Sequence, residues 1–437
     1  MEKFIQKFKF TGKEVALSFQ HLFAMFGATV LVPLLTGLSP SVALLSAGLG
    51  TLLFHCLTKF KVPVFLGSSF AFIPGIAAVV NQEGLQYAQG GIIIAGAIYV
   101  ALAVTVYFIG VERVKRIFPP VVTGPIIVLI GLGLTYAAMN DARDVFSNSV
   151  PEWISVLIAL FTITVTVVCM LCGKKVLSLV PVLIGICSGY LLCVILKLFG
   201  INVIDFDVIT SSPWFNIPYV TEGFVTLPKF SWTAILVIAP VALVTCMEHI
   251  GDIMTNGTVV GQDFMKSPGL HRTLLGDGLA TSLAGFLGGP SNTTYSENTA
   301  VLAATKNYNP RLMRLTAVIA ILLAFFGKFG AVIQTIPTPV KGGVEIILFG
   351  MIAAVGIRTM FENKVDFSVT RNVVIATLIL SIGIGTTIST YAGGSIAGIP
   401  ITDNFALSPL FLSTIVGIIA NLILPKEKTE INKATPA

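Results

Sequence analysis

The sequence predicts an all-α polytopic membrane protein whose segments form two inverted repeats, and three observations carry that expectation. Of 437 residues, 55% are hydrophobic and only 11% charged, against roughly 25% charged residues in a soluble domain. Apolar runs of about 18 or more residues recur from near Val15 to Leu424, each long enough to cross roughly 30 Å of hydrocarbon as a helix. The second half of the chain also repeats features of the first, in matching order.

Dividing the apolar runs at charged and Pro/Gly-rich breaks gives fourteen segments, near 15–35, 41–58, 65–80, 90–110, 119–139, 152–172, 176–198, 232–255, 271–289, 295–306, 311–333, 342–358, 371–390 and 405–424. Those at 65–80 and 295–306 are too short or too polar to be full spans. The chain then reads as a cytoplasmic start (1–14), a first repeat (15–198), an extracellular linker (199–231), a second repeat (232–424) and a cytoplasmic end (425–437). The lysine-rich opening MEKFIQKFKFTGKE precedes a run as long as a full span and shows no small-residue cleavage site, so it does not read as a removable signal peptide.

Charge sets the orientation. With the N-terminus inside, 22 of the 27 basic residues fall in inside connections, and only Arg143, Lys197, Lys229, Lys341 and Lys328 fall outside. That asymmetry obeys the positive-inside rule. The net charge of +6 is therefore topology and not a nucleic-acid footprint.

The repeat is visible in PVVTGPIIVLIG (120–131) and PVKGGVEIILFG (339–350), which share six of twelve positions. Gln20-His21 corresponds to Glu248-His249, and GSSFAF (67–72) to TTYSEN (293–298). Two halves of seven spans have opposite orientations because seven is odd, and inverted repeats with interrupted helices are the architecture of secondary transporters. The six cysteines are scattered through apolar segments. The pair Cys169 and Cys172 has the C-x-x-C spacing of a redox or metal site, but no second pair or histidine accompanies it, and ordinary packing explains it.

Ionisable residues inside spans are functional candidates, because burying them is costly unless they are paired or hydrated. Glu248 and Asp252 in the eighth segment, Glu297 in the tenth and Glu345 in the twelfth qualify; every other charge is assigned to a segment end or a loop. Glu248 and Asp252 are i, i+4 on one face. Two carboxylates so close in low dielectric do not both ionise cheaply, so one is expected to hold a proton, as proton coupling requires. His249 projects about 100° away and reads either as a hydrogen-bonded packing residue or as a proton relay.

The stretch SNTTYSEN (291–298) carries polar groups able to satisfy backbone that has left the helix. Non-helical backbone at membrane depth occurs only where it is buried in protein or lines a cavity. An extended half leading to a half-helix that starts near Glu297 is expected. Read as an extracellular loop instead, it would leave 299–304 too short to reach Lys306 inside. The half-helix start and its mate at Ser68–Phe70 would present free N–H groups beside Phe70 and opposite Glu248. An uncharged planar ring with N–H donors and C=O acceptors suits such a site.

At these residues the sequence resembles the nucleobase/ascorbate transporter family, with its bacterial uracil permease branch nearest, over almost the whole chain. The matching stretches are QHLFAMFGATVLVP (20–33), LGSSFAFI (66–73), EHIGD (248–252), SPGLHR (267–272), PSNTTYSEN (290–298) and the signature Glu297, Asn298, Thr305, Lys306. The resemblance implies fourteen spans divided into core and gate domains, with a nucleobase held between the third and tenth segments and carried inward with protons across the cytoplasmic membrane. It makes Glu248 the coupling and substrate-binding carboxylate and Glu297 the second one. It places Phe70 beside the base and Ser296 and Glu297 where backbone amides meet it; Asn298 joins them as a substrate-binding candidate, and His249 and Asp252 join Glu248 as candidates for proton coupling. Glu345 and Phe349 become gate candidates: Glu345 is expected either on the gate surface or facing the aqueous path. The proton is the coupling ion and no other cofactor is implied; a homodimer is what the family suggests.

Five positions depart from that pattern, one of them Glu345, where a smaller hydroxyl residue is expected. Asp252 stands where uracil permeases tend to have histidine and looks more like purine-carrying members; Ala300 replaces the signature glycine, Ser296 the glycine before the glutamate, and Phe349 a gate tyrosine. The expectation is a proton-coupled uracil importer, with xanthine or a related purine as alternative substrate. An anion exchanger on the same fold is disfavoured by the paired carboxylates. An intramembrane enzyme lacks a metal or nucleophile motif, and a passive channel would not need buried titratable groups.

Overall fold

The computed structural model describes residues 11–110, 113, 118–144, 151–174, 177, 180–218, 227–393, 399–402 and 405–425. Most of the expected cytoplasmic N-terminus, linker residues 219–226, Lys115, Arg116, Lys175 and the expected C-terminal segment beyond Pro425 lie outside them. In order, the elements are α1 (Gly12–Thr36), α2 (Pro40–Leu57), β1 (Leu66–Ser68), a 3-10 turn (Phe70–Phe72) leading into α3 (Ile73–Gln82), α4 (Leu85–Ile109), α5 (Pro120–Arg143), α6 (Glu152–Cys172) and α7 (Pro181–Leu198). After the linker come α8 (Trp232–Ile238), α9 (Val241–Val260), α10 (Leu270–Leu287), β2 (Asn292–Thr294), α11 (Ser296–Thr305), α12 (Arg311–Ala324), α13 (Gly327–Gln334), α14 (Thr338–Glu362), α15 (Thr370–Gly393), β3 (Ile399–Thr402), β4 (Phe405–Leu407) and α16 (Pro409–Ile423). Among the described residues, nine helices are long and apolar enough to cross a membrane, counting α8 and α9 as one.

Local chemistry fixes the helix ends. Thr11 and Glu14 form a reciprocal capping box at α1, whose orphan N–H groups they satisfy. Gly37 ends the same helix in the left-handed region at φ 72°, a conformation a Cβ disfavours. Ser39 caps α2 ahead of Pro40, and Ser408 caps α16 ahead of Pro409, each proline occupying a position whose N–H would be unspent anyway.

Three expected segments are broken or shifted. The segment at 232–255 is interrupted between Ile238 and Val241, at Pro240, which has no N–H to continue the ladder. The segment at 311–333 breaks at Phe325 and Phe326, where the linker inserts: the Asn216 N–H donates to Phe325 O at 2.9 Å and the Gly327 N–H to Trp214 O at 3.1 Å. The last segment starts as the strand β4 and becomes helical only at Pro409.

The helices fall into two packing groups. In one, α10 lies against α2 and α4, and α12 against α1 and α2; in the other, α5 lies against α14 and α15, α6 against α7 and α14, and α15 against α16. The two self-similar stretches of sequence begin α5 and α14, which run antiparallel, so the stretches lie toward opposite ends of the pair and touch where Gly131 meets Phe349. Their glycines let the axes close: a Cβ on Gly131 would sit 2.6 Å from Ala353 N, and one on Gly356 would sit 2.6 Å from both Gly124 O and Val128 N. Small residues at such crossings are what allow close helix packing in lipid, where burying apolar surface gives little drive.

Gly131→Val should lower stability by about 1–3 kcal/mol through forced separation of α5 and α14, whereas Gly385→Val, where a Cβ meets nothing within 4 Å, should change it little. Thermal unfolding in detergent compares the two; equal shifts would remove the crossing from the account.

Candidate functional site

The site is built on backbone that has left the helix. β1 and β2 run antiparallel with Leu66 opposite Thr294, Gly67 opposite Thr293 and Ser68 opposite Asn292. The pairing extends beyond them, since the Ser69 N–H donates to Ser291 O at 2.9 Å and the Tyr295 N–H to Phe65 O at 3.1 Å. Side chains from α2 and α10 satisfy what the ladder leaves over. Thr51 Oγ1 donates to Leu66 O at 3.3 Å and accepts from Leu66 N at 2.9 Å. The Asn292 amide donates to Ser46 O at 3.2 Å and Ala280 O at 3.3 Å, while Thr281 donates to Asn292 O at 3.0 Å. Each unsatisfied backbone group in a bilayer costs several kcal/mol, so the polar run of residues 291–295 is chemically required. Among these, Tyr295 locks the crossing: its hydroxyl donates to Ser68 O at 2.7 Å and accepts from Thr29 at 3.2 Å. Gly67 makes room for that ring, because a Cβ there would strike it and lie 2.8 Å from Thr29 Oγ1.

From this crossing α11 starts at Ser296 with no side-chain cap on its first turn, so its leading amides have no intrahelical partners. Ser296 is exposed and Glu297 half-buried at that start. Glu248 and Asp252 stand on α9, both half-buried, and Thr294 donates to Asp252 Oδ2 at 2.8 Å. Glu248, Asp252 and Glu297 lie within electrostatic reach of one another. Phe70, half-buried, meets Phe349 of α14 edge-on at 5.9 Å. Beside Phe70 a cavity of about 80 Å³ separates the two helix groups, with Ala71, Gly75 and Val241 on one side and Leu129, Gly133 and Leu410 on the other. Of the residues expected at the site, the structure thus gathers Glu248, Asp252, Ser296, Glu297, Phe70 and Phe349.

Three expected residues sit elsewhere. Asn298 is fully buried and its amide donates to His21 O at 3.0 Å, so it ties α11 to α1. Glu345 lies neither on a surface nor on an aqueous path: it is 0% exposed inside the α5–α14 packing. His249 is also 0% exposed, with Nδ1 2.9 Å from Asp277 Oδ2 and the Phe54 ring edge-on at 6.4 Å.

Asp277 is the residue the sequence reading missed. The assignment of all other charges to segment ends is corrected here, since Asp277 lies mid-way along α10 and is fully buried. A single carboxylate inside LLGDGLATSLAG was the available signal. Its partner was not, because the pairing joins α9 to α10 across 28 residues of chain.

A family model described as the permease family matches residues 12–392. This chain belongs to the permease family. The uracil permease of Bacillus caldolyticus is 44% identical over 415 residues, 95% of this chain and 92% of that one. The probable uracil permease of Pasteurella multocida is 42% identical over 95% of each chain, and the uracil permease of Escherichia coli K12 is 38% identical over 94% of this chain and 90% of that one. Among solved structures, the transmembrane domain of the cyanobacterial bicarbonate transporter BicA superposes with a TM-score of 0.57 at 14% identity, covering 94% and 96% of the two chains. The murine anion transporter Slc26a9, in its inward-facing state, gives 0.63 at 11% identity over 99% and 71%. At such identities the superpositions show a shared transporter fold alone. The permease is a multi-pass protein of the cell membrane and not an enzyme.

His249→Leu should destabilise the permease by about 3–5 kcal/mol by leaving Asp277 buried and uncompensated, and His249→Leu/Asp277→Leu should recover most of the loss. Chemical denaturation in detergent measures both; additive losses would mean that the two side chains do not act as a pair.

Proposed function

We propose that this permease imports uracil together with protons. The observation that carries the reading is the meeting of three carboxylates, Glu248, Asp252 and Glu297, with the uncapped start of α11 and the Phe70 ring, in a chain 42–44% identical to uracil permeases. A uracil ring offers two N–H donors to carboxylates, carbonyl oxygens to backbone N–H groups and a flat face to an aromatic ring.

The architecture proposed is fourteen segments in two inverted repeats, residues 15–198 and 232–424, with both termini cytoplasmic. The pairing of β1 with β2 supports it, since those strands fall at matching places in the two halves. The group of α1–α4 and α8–α13 serves as core, and that of α5–α7 and α14–α16 as gate, meeting at Phe70 and Phe349. A homodimer is the proposed assembly.

In the cycle, three carboxylates in one low-dielectric site do not all carry charge together. The base binds from outside to the form with a proton on Glu248 or shared with Asp252, the gate rocks past the core, and proton and base leave inside. Coupling arises because the base binds the protonated site better, and differential affinity is the only way a ligand biases a conformational equilibrium. No cofactor other than the proton takes part. His249, held by Asp277, acts in this scheme as support for α9.

Uptake of labelled uracil and xanthine into proteoliposomes, with and without an inward proton gradient, tests the proposal. Uracil should accumulate and the accumulation should collapse with a protonophore; concentrative xanthine uptake instead would follow Asp252 to the purine branch, and transport of neither base would overturn the reading. Glu248→Gln should leave no accumulation above the outside concentration. Asp252→His should shift preference further toward uracil, and an unaltered base profile would remove Asp252 from specificity.

A further inference from the structure

Glu345 is a fully buried carboxylate of the gate group that the cycle above leaves without work. It lies in α14 at the face packed on α5 and is 0% exposed, and among the described residues neither of its oxygens has a hydrogen-bond partner. Two charged groups face it: Asp141 near the end of α5, half-buried, and Lys341, half-buried one turn earlier on α14 itself. Asp144 in turn faces Asp141. Among the described residues, no other charged group acts on it. Next to it, Gly343 packs on Ala159 O and Thr162 of α6, and Val340 on Gly189 of α7.

An ionised carboxylate in that place would have no donor, a nearby negative partner in Asp141, and no water. Lys341 offsets part of this, yet it forms no ion pair with Glu345 in the packed arrangement. Protonation removes the charge that the packing cannot accommodate. One helical turn further along the same face stands Phe349, whose ring meets Phe70 at the candidate site. The state of Glu345 therefore bears on the helix that closes over the base.

We propose that Glu345 is a second proton-binding site of this permease, lodged in the gate, whose protonation is linked to closure of α14 against Phe70. The inference rests on the reading of the protein as a proton-coupled uracil carrier and adds a site to it. When α14 lies on α5 as seen here, one Glu345 oxygen holds the proton in an O–H bond. When the gate leaves Phe70 and α14 shifts on α5 so that water reaches this carboxyl, that bond breaks, the proton passes to water, and the carboxylate is left beside Lys341. Base and proton both favour the closed gate, so by linkage each tightens the binding of the other.

The test is the pH dependence of uracil affinity for the purified full-length permease between pH 6 and 9, with proton uptake on binding followed by an indicator dye. Each proton taken up with the base weakens binding about tenfold per pH unit above the range where it is bound. Wild type should take up more than one proton per uracil over part of that range. Glu345→Gln, which keeps the shape and cannot ionise, should lose one proton of uptake and flatten the affinity profile by up to about tenfold per pH unit, while the proton linked to Glu248 remains. A Glu345→Gln profile that overlays wild type overturns the proposal. If that variant fails to fold, wild type decides alone, because uptake of no more than one proton per uracil across the range overturns it equally. Failure of the underlying reading looks different: uracil then does not bind, or its affinity does not depend on pH at all.

Discussion

Leu66–Ser68 and Asn292–Thr294 exchange the backbone hydrogen bonds that each stretch forfeits by leaving the helix, and the geometry of the site follows from that exchange. A bilayer offers no water to spare groups of this kind, so neither stretch is stable in extended form without the other. The two halves of the chain are thereby joined at their most polar points. Thr51 and Thr281 complete the accounting from the flanking helices, Asn292 ties β2 back to them, and Tyr295 fastens the crossing to α1 through Thr29. Extended backbone at this depth then makes possible what a continuous helix forbids, a helix start inside the protein with amides to offer.

Around that start the charges are distributed by how much each can be compensated. His249 and Asp277 are fully buried and sit together at 2.9 Å. Such a pair adds little net stability over an apolar contact, although losing either partner is expensive. Glu248, Asp252 and Glu297 are instead half-buried near the start of α11. The three carboxylates of α9 and α11 thus differ in exposure from Asp277 on α10.

How much of this was legible in the sequence depended on whether the signal was local. SNTTYSEN announced its extended conformation because its side chains have no other purpose in a membrane, and its mate GSSFAF was found through the repeat. The stretches 120–131 and 339–350, alike in sequence, begin two helices that pack on each other, yet of their shared glycines only Gly124 and Gly131 lie in that crossing, while Gly343 meets α6 and Gly350 meets nothing within 4 Å. Asn298 was grouped with its neighbours Ser296 and Glu297, yet helical rotation turns it inward to His21. Asp277 and Glu345 were the harder cases. Their burial comes from contacts with α9 and α5, distant in sequence, and no local pattern states which helix will cover them. The breaks at Pro240 and at Phe325–Phe326 were hidden in the same way, the second because it depends on a linker passing at the right height.

The fold alone leaves the charge of the cargo open. Helix starts without a side-chain cap carry partial positive charge, and a bicarbonate transporter and an anion transporter are built on the same architecture. In this chain that field meets carboxylates at close range: Glu297 sits in the first turn of α11, and Glu248 and Asp252 face it from α9. An anion entering would find the favourable dipole already answered by fixed negative groups and would add to their repulsion. A neutral ring that donates N–H groups to those carboxylates and accepts from the amides meets no such opposition. A proton is the smallest species that lowers the negative charge of the site while leaving its shape unchanged. The same arithmetic that disfavours an anion favours a neutral base, and it does so through three side chains that the shared fold does not prescribe.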